Sequence, residues 1–261
     1  MIQSGWTAIV LAGQRPGVDP LADAYGQHWK ALVPIDGEAM LSRVAKTLLA
    51  SPSIAHILIA AQHPEALFVG DCAWLAQEPR IATAISSSGI AVSVAKFAGT
   101  PAAPWPVLVT TADHPLLTPA MVEAMIAGAT NADVAVGVVS ARTLLAAYPG
   151  NKRTWLKFAG NHWTGANLFA LVCEKARGPL LAWSEVERDR KKAFKLIWHF
   201  GPWLAARAAT RTITLAGALA KAGRTLGAIV KPVALPFAEA GIDVDKPSDH
   251  ELATRILRAR G

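Results

Sequence analysis

The chain has 261 residues, 52% of them hydrophobic and 17% charged, which suits one α/β domain, or one domain with a subdomain, around a sizeable core. No apolar run reaches the roughly 18 residues that cross a bilayer, and Cys72 and Cys173 stand alone without ligand spacing, which excludes a disulfide framework and a cysteine metal site. The net charge of +7 is local: from Glu185 to Lys231 ten Lys/Arg face three Asp/Glu, and the rest of the chain balances.

The opening "MIQSGWTAIV" lacks a basic n-region and a cleavage-like site, so a mature, cytoplasmic N-terminus is expected. "WTAIVLAG" then reads as a first strand. It runs into "GQRPGVDPLADAYGQHWK", a polar loop with Arg15 at one end and Lys30 at the other. Neither G-x-x-x-x-G-K-[ST] nor G-x-G-x-x-G is present, so a P-loop and a dinucleotide fingerprint are excluded. A glycine turn after a strand still lets the backbone approach a phosphate. Arg15 can grip phosphate oxygens bidentately and Lys30 can add a point charge. The same spacing also suits a surface loop with two ordinary cations.

Residues 39–50 read as a helix, "AHILIAA" and "RIATAI" as strands, and 89–97 as a second helix. "PVLVTTADHPLL" is a strand that ends in Thr110 and Thr111 and places Asp113 at its carboxyl tip. There a carboxylate can hold Mg²⁺, a hard cation that favours oxygen ligands and substrate phosphates; it can equally be a turn residue before the helix expected over 118–129. That helix has Thr118 as N-cap and Pro119 at its first position. "ADVAVGVV" is a further strand. Strands alternating with helices imply a mostly parallel sheet covered on both faces, with ligands beyond the strands' carboxyl ends.

The second half differs. "KRTWLKFAGNHWTGANLFAL" reads as a hairpin-like pair around Gly160-Asn161 followed by an apolar run. It gathers Lys152, Arg153, Lys157, Thr164 and Asn167; its cations suit a phosphorylated acceptor, and they also suit a solvated edge hairpin. Residues 180–224 look helical and basic, with a break at Gly201-Pro202. Trp198, Phe200 and Trp203 interleave with Lys192, Lys195 and Arg207, the pattern of an interfacial helix over 185–211, and equally of an aromatic face packed on the body while lysines reach water. No nucleic-acid reader motif accompanies the charge. "LGAIVKPVALP" is a late strand and 247–259 a closing helix capped by Ser248 or Asp249. Just before it, in "GIDVDKPSDHELA", Asp243 and Asp245 point to one side while Ile242 and Val244 face the core. A carboxylate from this segment can meet Asp113 and complete a metal site.

Three motifs in order, "VLAG-x-R…K-x-L-V-P-I-x-G", "TTADHPLL" and "DVDKPSDHELA", resemble the MobA-like nucleotidyltransferases of the GT-A fold over most of residues 6–140 and 225–257. That group includes molybdenum-cofactor guanylyl- and cytidylyltransferases and sugar- or polyol-phosphate nucleotidyltransferases. The resemblance implies a three-layer α/β/α, Rossmann-like, mostly parallel sheet in a single domain, with a helical and hairpin acceptor-side subdomain near 141–224. It places Leu11, Ala12, Gly13, Gln14 and Arg15 on the nucleotide-phosphate loop, Lys30 on the lysine that contacts phosphates, and Asp113 and Asp245 on the Mg²⁺ ligands. Ser86, Ser87, Ser88 and Gly89 fall where relatives contact base and ribose, and Lys157, Thr164 and Asn167 where acceptor contacts are expected.

Two departures stand out. Gln14 replaces a usual glycine, and the loop from Arg15 to Lys30 is longer than usual, fitting a lid or an adjusted nucleotide choice. The expected reaction is Mg²⁺-dependent transfer of NMP from an NTP, CTP or GTP foremost, to a phosphorylated sugar, polyol or lipid-headgroup acceptor, with Arg15, Lys30 and Asp113 catalytic and pyrophosphate released. Two alternatives remain at this point. One is a non-catalytic nucleotide-binding or membrane-associated scaffold; the other is a nucleotide-sugar glycosyltransferase, against which stands the lack of a D-x-D at the end of a central strand.

Overall fold

The computed structural model describes residues 5–87, 89–188, 207 and 210–260. In chain order the strands are β1 Trp6–Leu11, β2 Pro34–Ile35, β3 Glu38–Ala39, β4 Ile54–Ala61, β5 Ile81–Ile85, β6 Val107–Thr111, β7 Val134–Ser140, β8 Leu156–Phe158, β9 Asn161–Leu171 and β10 Val230–Ala234. The α-helices are α1 Pro20–Ala24, α2 Met40–Leu49, α3 Ile90–Phe97, α4 Pro119–Gly128, α5 Ala141–Ala147, α6 Arg177–Arg188, α7 Leu215–Thr225 and α8 Pro247–Arg260. Ser88, the Gly201-Pro202 break and most of the basic 185–211 stretch lie outside the described residues.

Among the described residues eight strands form one sheet in the order β10-β7-β9-β6-β1-β4-β5, with β8 paired to β9. β9 runs antiparallel to β6, β7 and β8; the remaining pairs in this sheet are parallel. Sheets of this kind are buried on both faces, so their strands are continuous apolar runs. β1 shows why. Ala8 and Val10 point into one core and Ile9 into the other, and all three are fully buried. Ile57 and Ile59 against Leu58 and Ala60 repeat the division in β4.

The helices follow from their periodicity and caps. α2 buries Met40, Leu41, Val44, Ala45 and Leu48, the spacing of one helical face. α4 starts as its sequence indicates, with Thr118 accepting a hydrogen bond from the Met121 N–H and Pro119 opening the first turn.

Three segments differ from their sequence reading. The hairpin and the apolar run behind it are one structure: β9 continues from the β8 turn for 11 residues and enters the main sheet between β7 and β6. The closing helix begins at Pro247, as its sequence indicates, but Ser248 and Asp249 lie inside its first turn, and the Asp249 carboxylate reaches back to the Asp245 N–H at 3.3 Å. The long 15–30 loop is largely folded. Asp19 caps α1 by accepting from the Leu21 and Ala22 N–H groups at 3.0 Å each, Leu21 is wholly buried, and Tyr25 stacks on His250 at 4.0 Å. Arg15 to Val18 stay exposed.

A candidate active site above the central strands

The strand ends build the site. The Leu11 carbonyl accepts from the Ala112 N–H and the Ala12 N–H donates to the Ala60 carbonyl, so β6, β1 and β4 stay registered one step beyond their ends. The chain then turns at Gly13, where a Cβ would come 3.0 Å from the Gln62 side-chain oxygen. A side chain at this position would press on the Gln62 amide. Gln62 clamps the next residue on both sides, accepting from the Gln14 N–H at 3.0 Å and donating to the Gln14 carbonyl at 2.8 Å.

The Gln14 side chain is committed within the loop. Its oxygen accepts from the Lys30 N–H at 2.8 Å and its amide donates to the His28 carbonyl at 3.3 Å. The loop is thereby closed into a ring, with Arg15 on its rim and Lys30 at its base. Arg15 is exposed and has no hydrogen bond or ion pair among the described residues.

Lys30 turns inward. Its ammonium donates to Asp113 Oδ2 at 2.6 Å and to Asp245 Oδ1, joining residues 83 and 215 positions away. Burial alone would lower the Lys30 pKa, but the two carboxylates, Asp113 foremost, outweigh it and hold the group above the ordinary lysine value. The Asp113 carbonyl also accepts from the Val244 N–H at 2.9 Å, which ties the two acidic segments together.

Both carboxylates reach the same ammonium, and Asp113 Oδ1 is buried without a hydrogen-bond partner. An orphaned carboxylate oxygen of this kind suits a hard divalent cation. Among the described residues no group of three or more His, Cys, Asp or Glu forms a metal cage. A cation here would take these two carboxylates and complete its shell from substrate phosphates and water, as Mg²⁺ commonly does.

Asp243 and Asp245 part company. Arg153 donates to the Asp243 carboxylate and, at 3.1 Å, to the Asp243 carbonyl, while the Asn167 amide donates to the other carboxylate oxygen at 3.0 Å. Burial, together with the nearby Asp245 and Asp113, raises the Asp243 pKa against the pull of Arg153. Arg153 and Asn167 are therefore occupied in holding the 243–245 segment. Thr164 is buried and sits against Gly241, where a Cβ would come within 2.9 Å of its methyl. Lys157 is exposed on β8.

At the end of β5, the Ser86 N–H donates to the Ala61 carbonyl and the Ser86 hydroxyl is buried without a partner. Ser93 shapes the turn: its hydroxyl accepts from the Ser87 N–H at 2.9 Å and donates to the Gly89 carbonyl at 2.7 Å. The Glu187 carboxylate, from α6, accepts from the Ile90 and Ala91 N–H groups at 2.8 Å each, at the start of α3. A Cβ on Gly89 would come within 2.6 Å of that carboxylate.

Sequence reasoning missed Gln62, Ser93 and Glu187. Gln62 was within reach, because it is the first polar residue after the apolar β4, at the same kind of sheet end as Asp113. Ser93 and Glu187 act through partners that only the fold supplies.

The MobA-like NTP transferase domain model matches residues 8–212. No curated protein matches the chain. Among solved structures it is similar to a hypothetical transferase from Thermus thermophilus, at 27% identity and a TM-score of 0.77 over 94% of this chain and 99% of that one. A CMP:2-keto-3-deoxy-manno-octonic acid synthetase complexed with CTP shares the fold at 15% identity and a TM-score of 0.59, over 98% of this chain and 100% of that one. So does a 4-diphosphocytidyl-2C-methyl-D-erythritol synthase from Anaerococcus prevotii DSM 20548, at 12% identity and a TM-score of 0.56 over 98% of each. A domain match across most of the chain, on strand ends that carry the glycine turn, Lys30 and Asp113, establishes that this protein belongs to the MobA-like NTP transferase family and is a nucleotidyltransferase.

Proposed function

We propose that the enzyme transfers NMP from an NTP to a phosphorylated small-molecule acceptor and releases pyrophosphate, with Mg²⁺ as its cofactor. The observation that carries this reading is the convergence of Lys30, Asp113 and Asp245 beside the Gly13–Arg15 turn. In the chain without substrate the Lys30 ammonium is held by both carboxylates. A triphosphate competes for that ammonium, so Lys30 exchanges carboxylate contacts for phosphate oxygens. Arg15, exposed on the loop rim, closes on the same group from outside.

An oxygen of the acceptor phosphate forms the new bond to the α-phosphorus. The bond from the α-phosphorus to its bridging oxygen breaks, and pyrophosphate leaves with the electron pair. The attacking phosphate is already anionic near neutrality, so no protein base is required. Positioning and charge stabilisation by Lys30 and Arg15 then supply the acceleration. Mg²⁺ held by Asp113 and Asp245 would neutralise phosphate charge. CTP is the first nucleotide to test, because a structural neighbour is described as complexed with CTP; GTP is the second.

The test is pyrophosphate release from each of four NTPs against a panel of sugar, polyol and lipid-headgroup phosphates in Mg²⁺. One pair should turn over, and Arg15→Ala, Lys30→Ala and Asp113→Ala should each slow it by about 100-fold or more while the fold persists. Wild-type turnover by Asp113→Ala would overturn the reading.

A further inference from the structure

Two hollows lie beside the 147–153 segment and α8, and the smaller one reaches Asp245 of the Lys30 cluster. The smaller, about 290 Å³, opens at Asp245 and is lined by Lys152, Arg153, Lys246 and Asp249. The larger, about 950 Å³, runs between the 147–152 segment and α8. Lys152, Lys246 and Asp249 line both, so the two form one trough leading from Asp245 along α8. Its upper volume is that of a site for a substantial small molecule.

The sheet order explains why the trough lies there. β1, β4 and β5 carry the glycine turn and the Ser86–Gly89 turn on one side of β6, whose end bears Asp113. On the other side lie β7 and β10. Their continuations, α5 with the 148–153 segment and the 243–249 segment with α8, form the trough walls.

Charge sorts its two ends. At the end beside Asp245, Lys152 and Lys246 are exposed, and neither makes an ion pair or side-chain hydrogen bond among the described residues. The acids nearby are engaged: Asp249 accepts from the Asp245 N–H and lies 3.9 Å from Arg153, and Glu239 accepts from the Tyr148 hydroxyl at 2.7 Å. The charged side chains left without a partner at this end are therefore the two lysines, Lys152 and Lys246. Farther along, Ala147, Pro149, Leu252, Ile256 and Ala259 supply apolar wall beside the charged Glu251, Arg255 and Arg260, the last of which donates to the Leu116 carbonyl.

We infer that this trough is the acceptor site, and that it takes a phosphomonoester of an extended, partly apolar alcohol. The phosphate sits between Lys152 and Lys246, next to Asp245, and the alcohol body lies along α8. This deepens the proposed transfer reaction and rests on it for the word acceptor. It also moves the acceptor from Lys157, Thr164 and Asn167 to the neighbouring face. Of those three, Thr164 is buried and Asn167 is held by Asp243, whereas both trough lysines are free.

Calorimetric titration of the full chain with n-hexyl phosphate and with glycerol 3-phosphate tests it. Hexyl phosphate should bind about tenfold tighter or better, since its methylenes leave water for the apolar wall. Lys152→Ala and Lys246→Ala should weaken both probes. Leu252→Asp, on the apolar wall about 9 Å along α8 from Lys246, should weaken hexyl phosphate and leave glycerol 3-phosphate unchanged. No binding by either probe, equal binding of the two, or hexyl phosphate binding that Leu252→Asp leaves intact would overturn the inference. Binding with the expected variant pattern, but no pyrophosphate release from any NTP, supports the trough and defeats the transfer reading. Transfer to an acceptor whose KM is unmoved by all three variants does the reverse.

Discussion

Lys30 and His114 flank the same aspartate and show opposite ways of burying a titratable group. Lys30 keeps its charge because two carboxylates meet it. His114 is fully buried, neither ring nitrogen meets a partner in good geometry, and burial pushes its pKa down to about 4 despite the adjacent Asp113. The unfolded chain takes up a proton near 6.5, and the folded chain only near 4. Between those values the unfolded state binds more protons, so stability falls as pH drops through that window. The loss is on the order of 3 kcal/mol. His114→Leu should flatten this acid slope in urea melts at pH 7, 6, 5 and 4, while changing stability at pH 7 by about 1 kcal/mol or less. An unchanged slope would show that His114 is not its source. At this scale the placing of Arg15 and Asp113 on sheet-end loops was legible, because each stands just past an apolar run; Lys30, 19 residues beyond β1, had no such signal short of the family resemblance. His114 was not, since nothing in "ADHPLL" distinguishes a buried neutral imidazole from an exposed one.

The loops show where local rules suffice and where they stop. Thr118-Pro119 announces α4 and the structure follows it. "VDPLADAYG" contains the same kind of start, Asp19 as cap and Pro20 at the first turn, but α1 spans only five residues and carries too little periodicity to stand out from a loop. The Gln14 ring depends on a partner 16 residues away, and the Glu187 cap on one 97 residues away. Neither pairing has a local signature. The cap has a measurable consequence. Glu187→Gln keeps an acceptor but removes the negative charge from the start of α3, which should cost about 1 kcal/mol. Faster amide exchange at Ile90 and Ala91, with a raised KM for NTP and little change in kcat, is expected if Glu187 steadies the Ser86–Gly89 turn. Unaltered exchange at both amides would count against the cap.

Across the whole molecule, the sheet turns three remote segments into one site. Alternating strands and helices made the α/β class legible, and the apolar strand runs made it clear that both faces are covered. The strand order was not legible. That β9 enters antiparallel between β7 and β6 follows from packing an 11-residue run whose hairpin half looked like an edge. The meeting of Lys30 with Asp113 and Asp245 likewise follows from that order, and short of the family resemblance no spacing in the chain specifies it. If these carboxylates serve one centre, their removal must be non-additive, because a second loss costs little once the centre is broken. The direct measurement is the pyrophosphate-release rate of Asp113→Asn, Asp245→Asn and the double variant, with the NTP and acceptor that the wild type uses. Each single variant should fall by about 100-fold, and the double should be no slower than the slower single. Full activity in either single variant, or a double variant slowed by the product of the two effects, would contradict a shared site.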